Sequence, residues 1–268
     1  MKRDGTASFC TKLLFITLTC AASSFAQTAS DAAALQKQYT DAVNDARTAK
    51  AEEIINTLIP VVRCNSNLRW EDEPDGSVRV LVATWVNGWV AKNYDGKEGQ
   101  LVPIPSGAYP FVTTVPEVKN FCSNPQRAGT NLTLRLEQLL GLPPMNGKVE
   151  FVELWVDPND LFRPCPDPEI ADSRCELDFP QTGFLTVSLS YVKWFDNQVC
   201  QSYPSRPKDY TGTDLMGYPW TRLGYTYDWG IASGHVGMSE FVIRPGSQVK
   251  VKAVTPTADY CRNIRSTS

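Results

Sequence analysis

The chain has 268 residues, 26 of them basic and 29 acidic, with a formal net charge of −3. That mildly acidic balance points away from nucleic acid and from anionic lipid as main partners. The single histidine, His235, limits any Ser-His, Cys-His or His-rich metal arrangement to one imidazole.

The N-terminus carries Lys2 and Arg3, an apolar stretch from Leu13 to Cys20, and Ala21-Ala22-Ser23-Ser24-Phe25-Ala26. This charge, apolar core and small-residue order predicts a secretory signal peptide over 1–26, cut after Ala26 so that Gln27 leads the mature chain. The apolar core is far short of the ~20 residues that span a bilayer, and no later stretch is long and apolar enough. The expectation is a secreted or periplasmic protein with no transmembrane segment in its mature part. Lys2, Arg3, Lys12 and Asp4 would leave with the leader, giving 23 basic against 28 acidic residues and a net charge of −5.

From Ser30-Asp31 the pattern predicts a helix over Ala32–Leu58, stopped by Pro60, with a thin stripe of Leu35, Tyr39, Val43 and Ala46. Such a helix would lie on the surface or project from it, forming an N-terminal region of 27–60 before one domain over 61–268. Beyond Val61 the texture is that of strands. Asp75-Gly76 signals a turn, and Val78–Val86 reads as a strand. Leu101–Val115 is extended but broken by Pro103, Pro105 and Pro110, which suits an edge or loop. Asn131–Leu140 reads as a short helix with Leu132, Leu136, Leu139 and Leu140 on one face, ended by Gly141. Lys148–Val156 is the clearest central strand, and Asp157-Pro158-Asn159-Asp160 supplies the N-cap and first turn of a short helix. The alternation of Leu185, Val187, Leu189 and Tyr191 with Thr186, Ser188 and Ser190 predicts a half-buried strand to Trp194. Gly224–Trp229, Phe241–Ile243 and Val249–Val254 complete a mainly β, α+β reading: a twisted antiparallel sheet or sandwich with an N-terminal helix and short helical insertions.

Cys10 and Cys20 fall in the leader, leaving Cys64, Cys122, Cys165, Cys175, Cys200 and Cys261. Six cysteines in an exported chain predict three disulfides. Sequence favours one pair among the fifteen pairings, Cys165–Cys175, whose Pro-rich loop can bring its ends together. No C-x-x-C occurs, so disulfides are preferred to zinc. The oxygen donors Asp157, Asn159 and Asp160, and Asp167, Glu169 and Asp172, lack EF-hand spacing and suit turns, so no metal site and no cofactor are expected.

Two constellations carry chemistry. Along Lys148–Val156, Val149, Phe151, Glu153 and Trp155 share one face, and a carboxylate between aromatics is desolvated toward general-acid character. With Asp157 or Asp160 as second carboxylate, Glu153 would make a glycosidase pair. The second is the aromatic run Tyr218, Trp220, Tyr225, Tyr227 and Trp229. Exposed, Trp220, Tyr225, Tyr227 and Trp229 would form a glycan platform, with Trp85 and Trp89 extending it; buried, they are core. Ser190-Tyr191-Val192-Lys193 matches S-x-x-K only by letters, and Ser233–Ser239 contains no G-x-S-x-G elbow. His235 therefore reads as a loop histidine in a Gly-rich turn.

Together these features predict a non-catalytic extracytoplasmic binding or envelope-associated protein, whose partner is a glycan or an envelope protein. The alternatives are a glycan hydrolase built on Glu153, and a structural or assembly protein that docks through the N-terminal helix.

Overall fold

The computed structural model describes the backbone of residues 16–180, 187–204 and 217–262, and side-chain surroundings from residue 31 onward. Contacts divide the chain into two compact units, Met1–Gln38 and Tyr39–Ser268. Helix α1 (Ile16–Ala46) supplies all the described secondary structure of the first unit and runs unbroken across the expected cut after Ala26. Among the described residues, no helix is long and apolar enough to cross a membrane.

The second unit begins on the last turns of α1, where Tyr39, Ala42, Val43 and Ala46 are buried. The helix stops at Ala46 rather than at Leu58. A 3-10 turn follows (Ala51–Glu53), and residues 54–61 are irregular, with a bend at Asn56. The physical reason is competition for backbone hydrogen bonds. Leu58 N donates to Ser173 O (3.0 Å) and Val61 N to Ile170 O (2.7 Å), tying this segment to the loop at 165–175.

Eight strands form one sheet. They are β1 (Trp70–Asp72), β2 (Val78–Val86), β3 (Leu101–Pro103), β4 (Phe111–Thr114), β5 (Glu150–Val156), β6 (Leu161–Phe162), β9 (Phe241–Ile243) and β10 (Gln248–Pro256). The order is β3-β10-β5-β2-β4-β9-β6, with β1 also pairing with β2, and every pairing is antiparallel. Strands β7 (Tyr225–Tyr227) and β8 (Val236–Ser239) form a separate hairpin. The Leu101–Val115 stretch supplies both the edge strand β3 and the interior strand β4. Pro110, which lacks an N–H, precedes β4 and so removes no ladder donor from it.

Alternation in the central strands gives the sheet two apolar faces. Val80, Val82, Val152, Leu154, Val156, Val249 and Val251 pack on one side. Leu81, Ala83, Trp85 and Phe151 pack on the other, under α3 (Glu117–Cys122), α5 (Leu132–Leu139) and α7 (Thr257–Tyr260). A disulfide, Cys122–Cys261, joins the ends of α3 and α7. The short helices α2 (Gly88–Ala91) and α4 (Pro125–Ala128) start on the side-chain caps of Asn87 and Asn124. The expected cap at Asp157 forms, accepting from Asn159 N (2.9 Å), and Asn131 caps α5 by accepting from Leu134 N (3.1 Å).

Two expectations are corrected. The described part of 185–194 is not a strand. It is the start of α6 (Leu189–Ser202), capped by Ser188 Oγ, which accepts from Tyr191 N at 3.2 Å. Residues 185 and 186 lie outside the described residues. The sequence alternation gives way because Tyr191, Trp194 and Phe195, spaced three and four apart, bury together against Phe162, Trp220 and Val242. Of three expected disulfides, two form: Cys122–Cys261 and the favoured Cys165–Cys175. Cys64 and Cys200 are exposed free thiols.

Candidate functional site

Antiparallel pairing fails in one place, and a cavity forms there. Strand β4 pairs with β2 through Thr113 and Thr114, then turns to pair with β9 through Phe111 and Val112. Thr84, Trp85 and Val86 keep β5 as a neighbour on one side and border a cavity of about 840 Å³. That volume falls in the range of pockets that enclose small organic ligands.

Helix α6 makes one wall. Ser190, Lys193, Trp194, Asn197 and Gln201 line the cavity at helical spacing, so this face is amide and cation with one large aromatic. The facing wall is Tyr218-Pro219-Trp220 and Tyr225–Tyr227, with Tyr109 and Phe111 at a third side. Trp194 is the hinge of this aromatic assembly, meeting Trp220 edge-on at 6.0 Å and Tyr109 at 5.6 Å. Past β7, the buried carboxylate of Asp228 takes a bidentate pair from Arg135 of α5 (2.8 and 2.5 Å), which fixes the hairpin against the helices.

Three polar groups border this aromatic space. Glu240, at the β8–β9 junction, lines the cavity half-buried, and desolvation pushes its carboxyl up to about 8. Lys148 donates from Nζ to Trp85 O at 2.7 Å, and burial lowers its pKa. Trp220 Nε1 is a buried donor with no acceptor among the described residues. A carboxyl held neutral donates through its O–H, so Glu240 offers the cavity a hydrogen bond to a ligand oxygen, while the Trp220 N–H is sealed in the wall.

The predicted residues divide. Trp220, Tyr225 and Tyr227 line the cavity. Trp220, Tyr225 and Trp229 are buried and Tyr227 half-buried, so the run forms no exposed platform. Trp229 packs edge-on against Tyr39 (5.8 Å) and donates to Leu142 O (3.0 Å), a core role. Trp85 joins the cavity wall, whereas Trp89 stands 77% exposed and outside it.

Glu153 does share a face with Phe151 and Trp155, and burial raises its pKa against the nearby charges of Lys119 and Lys252. It does not line the cavity. Asp157 spends its carboxylate on the cap of the 3-10 turn at Pro158–Asp160. Four residues of extended chain put the two Cα atoms roughly 13 Å apart. A glycosidase pair needs its carboxyl groups within about 10 Å, on one cleft. The structure places Glu153 and Asp157 in no shared cleft.

Sequence reasoning missed Glu240, Lys148 and the polar face of α6. The α6 face had a signal, the spacing of Ser190, Lys193, Asn197 and Gln201, which the neighbouring alternation obscured. Glu240 had none, since its place at the cavity comes from strands far away in sequence.

Comparison with known proteins finds no matching family model, no similar curated protein and no similar solved structure. Fold and site together define a disulfide-stapled α+β protein with an aromatic cavity at a break in its sheet.

Proposed function

We propose that this is an exported, extracytoplasmic binding protein that takes a small sugar-like ligand into the cavity between β2, β4, α6 and β7. The signal-like leader, two disulfides and an acidic mature chain support placement outside the cytoplasm, after cleavage at Ala26. The observation that carries the reading is the composition of the cavity wall. Accessible rings (Tyr109, Tyr218 and the half-buried Tyr227), backed by the buried Trp194 and Trp220, stand among amide and hydroxyl groups (Asn197, Gln198, Gln201, Ser190). Sugar rings present apolar faces to stack and hydroxyls to bond, and this wall answers both.

Binding is favoured over hydrolysis because Glu240 is the one carboxylate in the described lining, while cleavage of a glycosidic bond uses two. The test is a titration with defined cello-, chito- and peptidoglycan-derived oligosaccharides, followed by tryptophan emission. A saturable change is expected with at least one series, weakened tenfold or more in Asn197→Ala/Gln201→Ala protein of unchanged melting temperature. The absence of any saturable response across the series, or a response indifferent to those substitutions, rejects a sugar-like ligand in this cavity.

A further inference from the structure

Outside the cavity, three chain segments meet around the lone imidazole. Asp45 comes from the last turn of α1, Glu53 from the 3-10 turn after it, and His235 from the β7–β8 hairpin. One ligand atom from each lies within 4.8 Å of the other two. From these residues we propose that Asp45, Glu53 and His235 form a binding site for a divalent transition metal ion of the zinc type.

The orientation of the imidazole separates this cluster from an ordinary patch of surface carboxylates. Its ring is stacked flat on Tyr227 (4.5 Å, 9°) and lies near Tyr225 (5.9 Å, 21°). Tyr225 donates its hydroxyl proton to Glu53 O at 2.9 Å, so its oxygen accepts from His235 Nε2 at 3.1 Å. In the neutral ring the proton is then on Nε2, and Nδ1 carries a bare lone pair. That lone pair faces Asp45 Oδ2 across 3.9 Å. Two acceptors facing one another at that distance are satisfied by a cation between them. Metal-bound histidines characteristically donate their other N–H to an oxygen acceptor, which is the geometry Tyr225 imposes.

The carboxylates are ordered as well. Tyr227 donates to Asp45 Oδ2 at 2.8 Å, and this bond, with the charge of Lys50, holds Asp45 below the usual carboxylate range. Lys50 Nζ lies 3.4 Å from Asp45 Oδ1 and 3.1 Å from Glu53 Oε1, so a cation already gathers both acids. Lys50 is exposed on a flexible stem and can swing out. Donors at about 2.1 Å in a tetrahedral zinc site lie roughly 3.4 Å apart, so the cluster, within 4.8 Å, closes by up to about 1.4 Å at its widest when the ion binds. Two carboxylates and one imidazole match a dication in charge and suit zinc better than calcium, which prefers oxygen alone.

The experiment uses protein carrying Cys64→Ser and Cys200→Ser, so that exposed thiols do not hold metal. Equilibrium dialysis against ZnCl2 should retain one zinc per chain, with a melting temperature that rises with zinc concentration. Asp45→Asn, which keeps an acceptor for Tyr227, and His235→Ala should each weaken retention tenfold or more. Lys50→Ala should tighten it severalfold by removing the resident cation. The proposal is overturned if neither the parent nor Lys50→Ala protein retains zinc. It is also overturned if folded Asp45→Asn protein retains zinc as well as the parent, or if CaCl2 is held as tightly as ZnCl2.

Discussion

Arg163 is sunk in the core and Glu240 stands half-buried at the cavity, and their surroundings treat these two ionisable side chains in opposite ways. Around Arg163 backbone carbonyls take up Nε and Nη2, while Nη1 is buried with no acceptor among the described residues. Its Nε donates to Glu169 O, and its Nη2 donates to Ile59 O, Ile170 O and Asp172 O, at 2.8 to 3.3 Å. The guanidinium lies over the Phe241 ring at 5.3 Å. The Cys165–Cys175 bridge shuts the loop that supplies most of these carbonyls. Tyr191 donates to Cys165 O at 2.6 Å from α6. Gly224, at φ +77°, lets the hairpin approach closely, since a Cβ there would stand 2.7 Å from Cys175 Sγ and 2.8 Å from Arg163 Cδ. Around Glu240 the chain leaves about 840 Å³ of space and a carboxyl pushed up to about 8. Buried charge held by backbone acceptors is scaffold; a half-buried acid facing a void is a place for something else to bind.

The largest test of that contrast is Arg163→Met. It removes the side chain that donates to four carbonyls around the 165–175 loop, and costs about 3–5 kcal/mol. Against a total stability of about 5–15 kcal/mol, this shifts the urea midpoint sharply. Loss of the Cys165–Cys175 bridge, by serine at both positions, costs about 3 kcal/mol for a loop of this size. Equilibrium unfolding of both proteins checks the order. An Arg163→Met chain as stable as the parent would mean that the guanidinium is a passenger in the loop.

Glu240→Gln works in the other direction. A carboxyl whose folded-state pKa is raised contributes stability that is fully present below its ordinary value near 4.5 and is lost as pH rises toward about 8. Glu117 behaves alike, since burial pushes it up to about 8 against the hydrogen bond it accepts from Ser239 N. Each group adds a slope of up to about 1.4 kcal/mol per pH unit across that window. The parent should lose stability between pH 5 and 8 and level off above. Glu240→Gln and Glu117→Gln should each remove one share of the slope, measured as unfolding free energy against pH. Ligand binding that relies on the neutral Glu240 as donor should fade over the same rise in pH. A flat stability profile in the parent would show that neither acid is protonated in the folded chain.

The scaffold was far more legible than the site. Strands β2 and β5 announce themselves because their interior positions are mostly apolar on both faces, a pattern set locally by burial on two sides. The caps at Asn131 and Asp157 are equally local, one side chain answering an N–H two or three residues on. The pair Cys165–Cys175 is legible from loop length, while Cys122 meets Cys261 across 139 residues only because α3 and α7 cover the same sheet face. The cavity is nonlocal in that second sense. Lys148, Lys193, Tyr218 and Glu240 come together through the splay of β4 from β2, which no single segment encodes. The aromatic run was found as a run, but its side chains turned inward to wall a space. Glu153 shares its strand face with Phe151 and Trp155 but lies outside the cavity, because burial of a carboxylate is necessary for a general acid and far from sufficient.

The smallest test concerns the α6 wall itself. Ser188 Oγ accepts from Tyr191 N, and the hydroxyl ring of that same Tyr191 anchors Arg163 O and Cys165 O on the scaffold side. One residue thus sits where cavity wall and closed loop are joined. Ser188→Ala removes the cap at a cost of about 1 kcal/mol, leaving the Tyr191 side chain in place. Amide exchange should accelerate in the first turn of α6 and stay unchanged around Cys165–Cys175, because the scaffold's bonds do not pass through Ser188. Equal acceleration in both would show that wall and loop open as one unit, and that the open cavity and the closed loop belong to a single cooperative element.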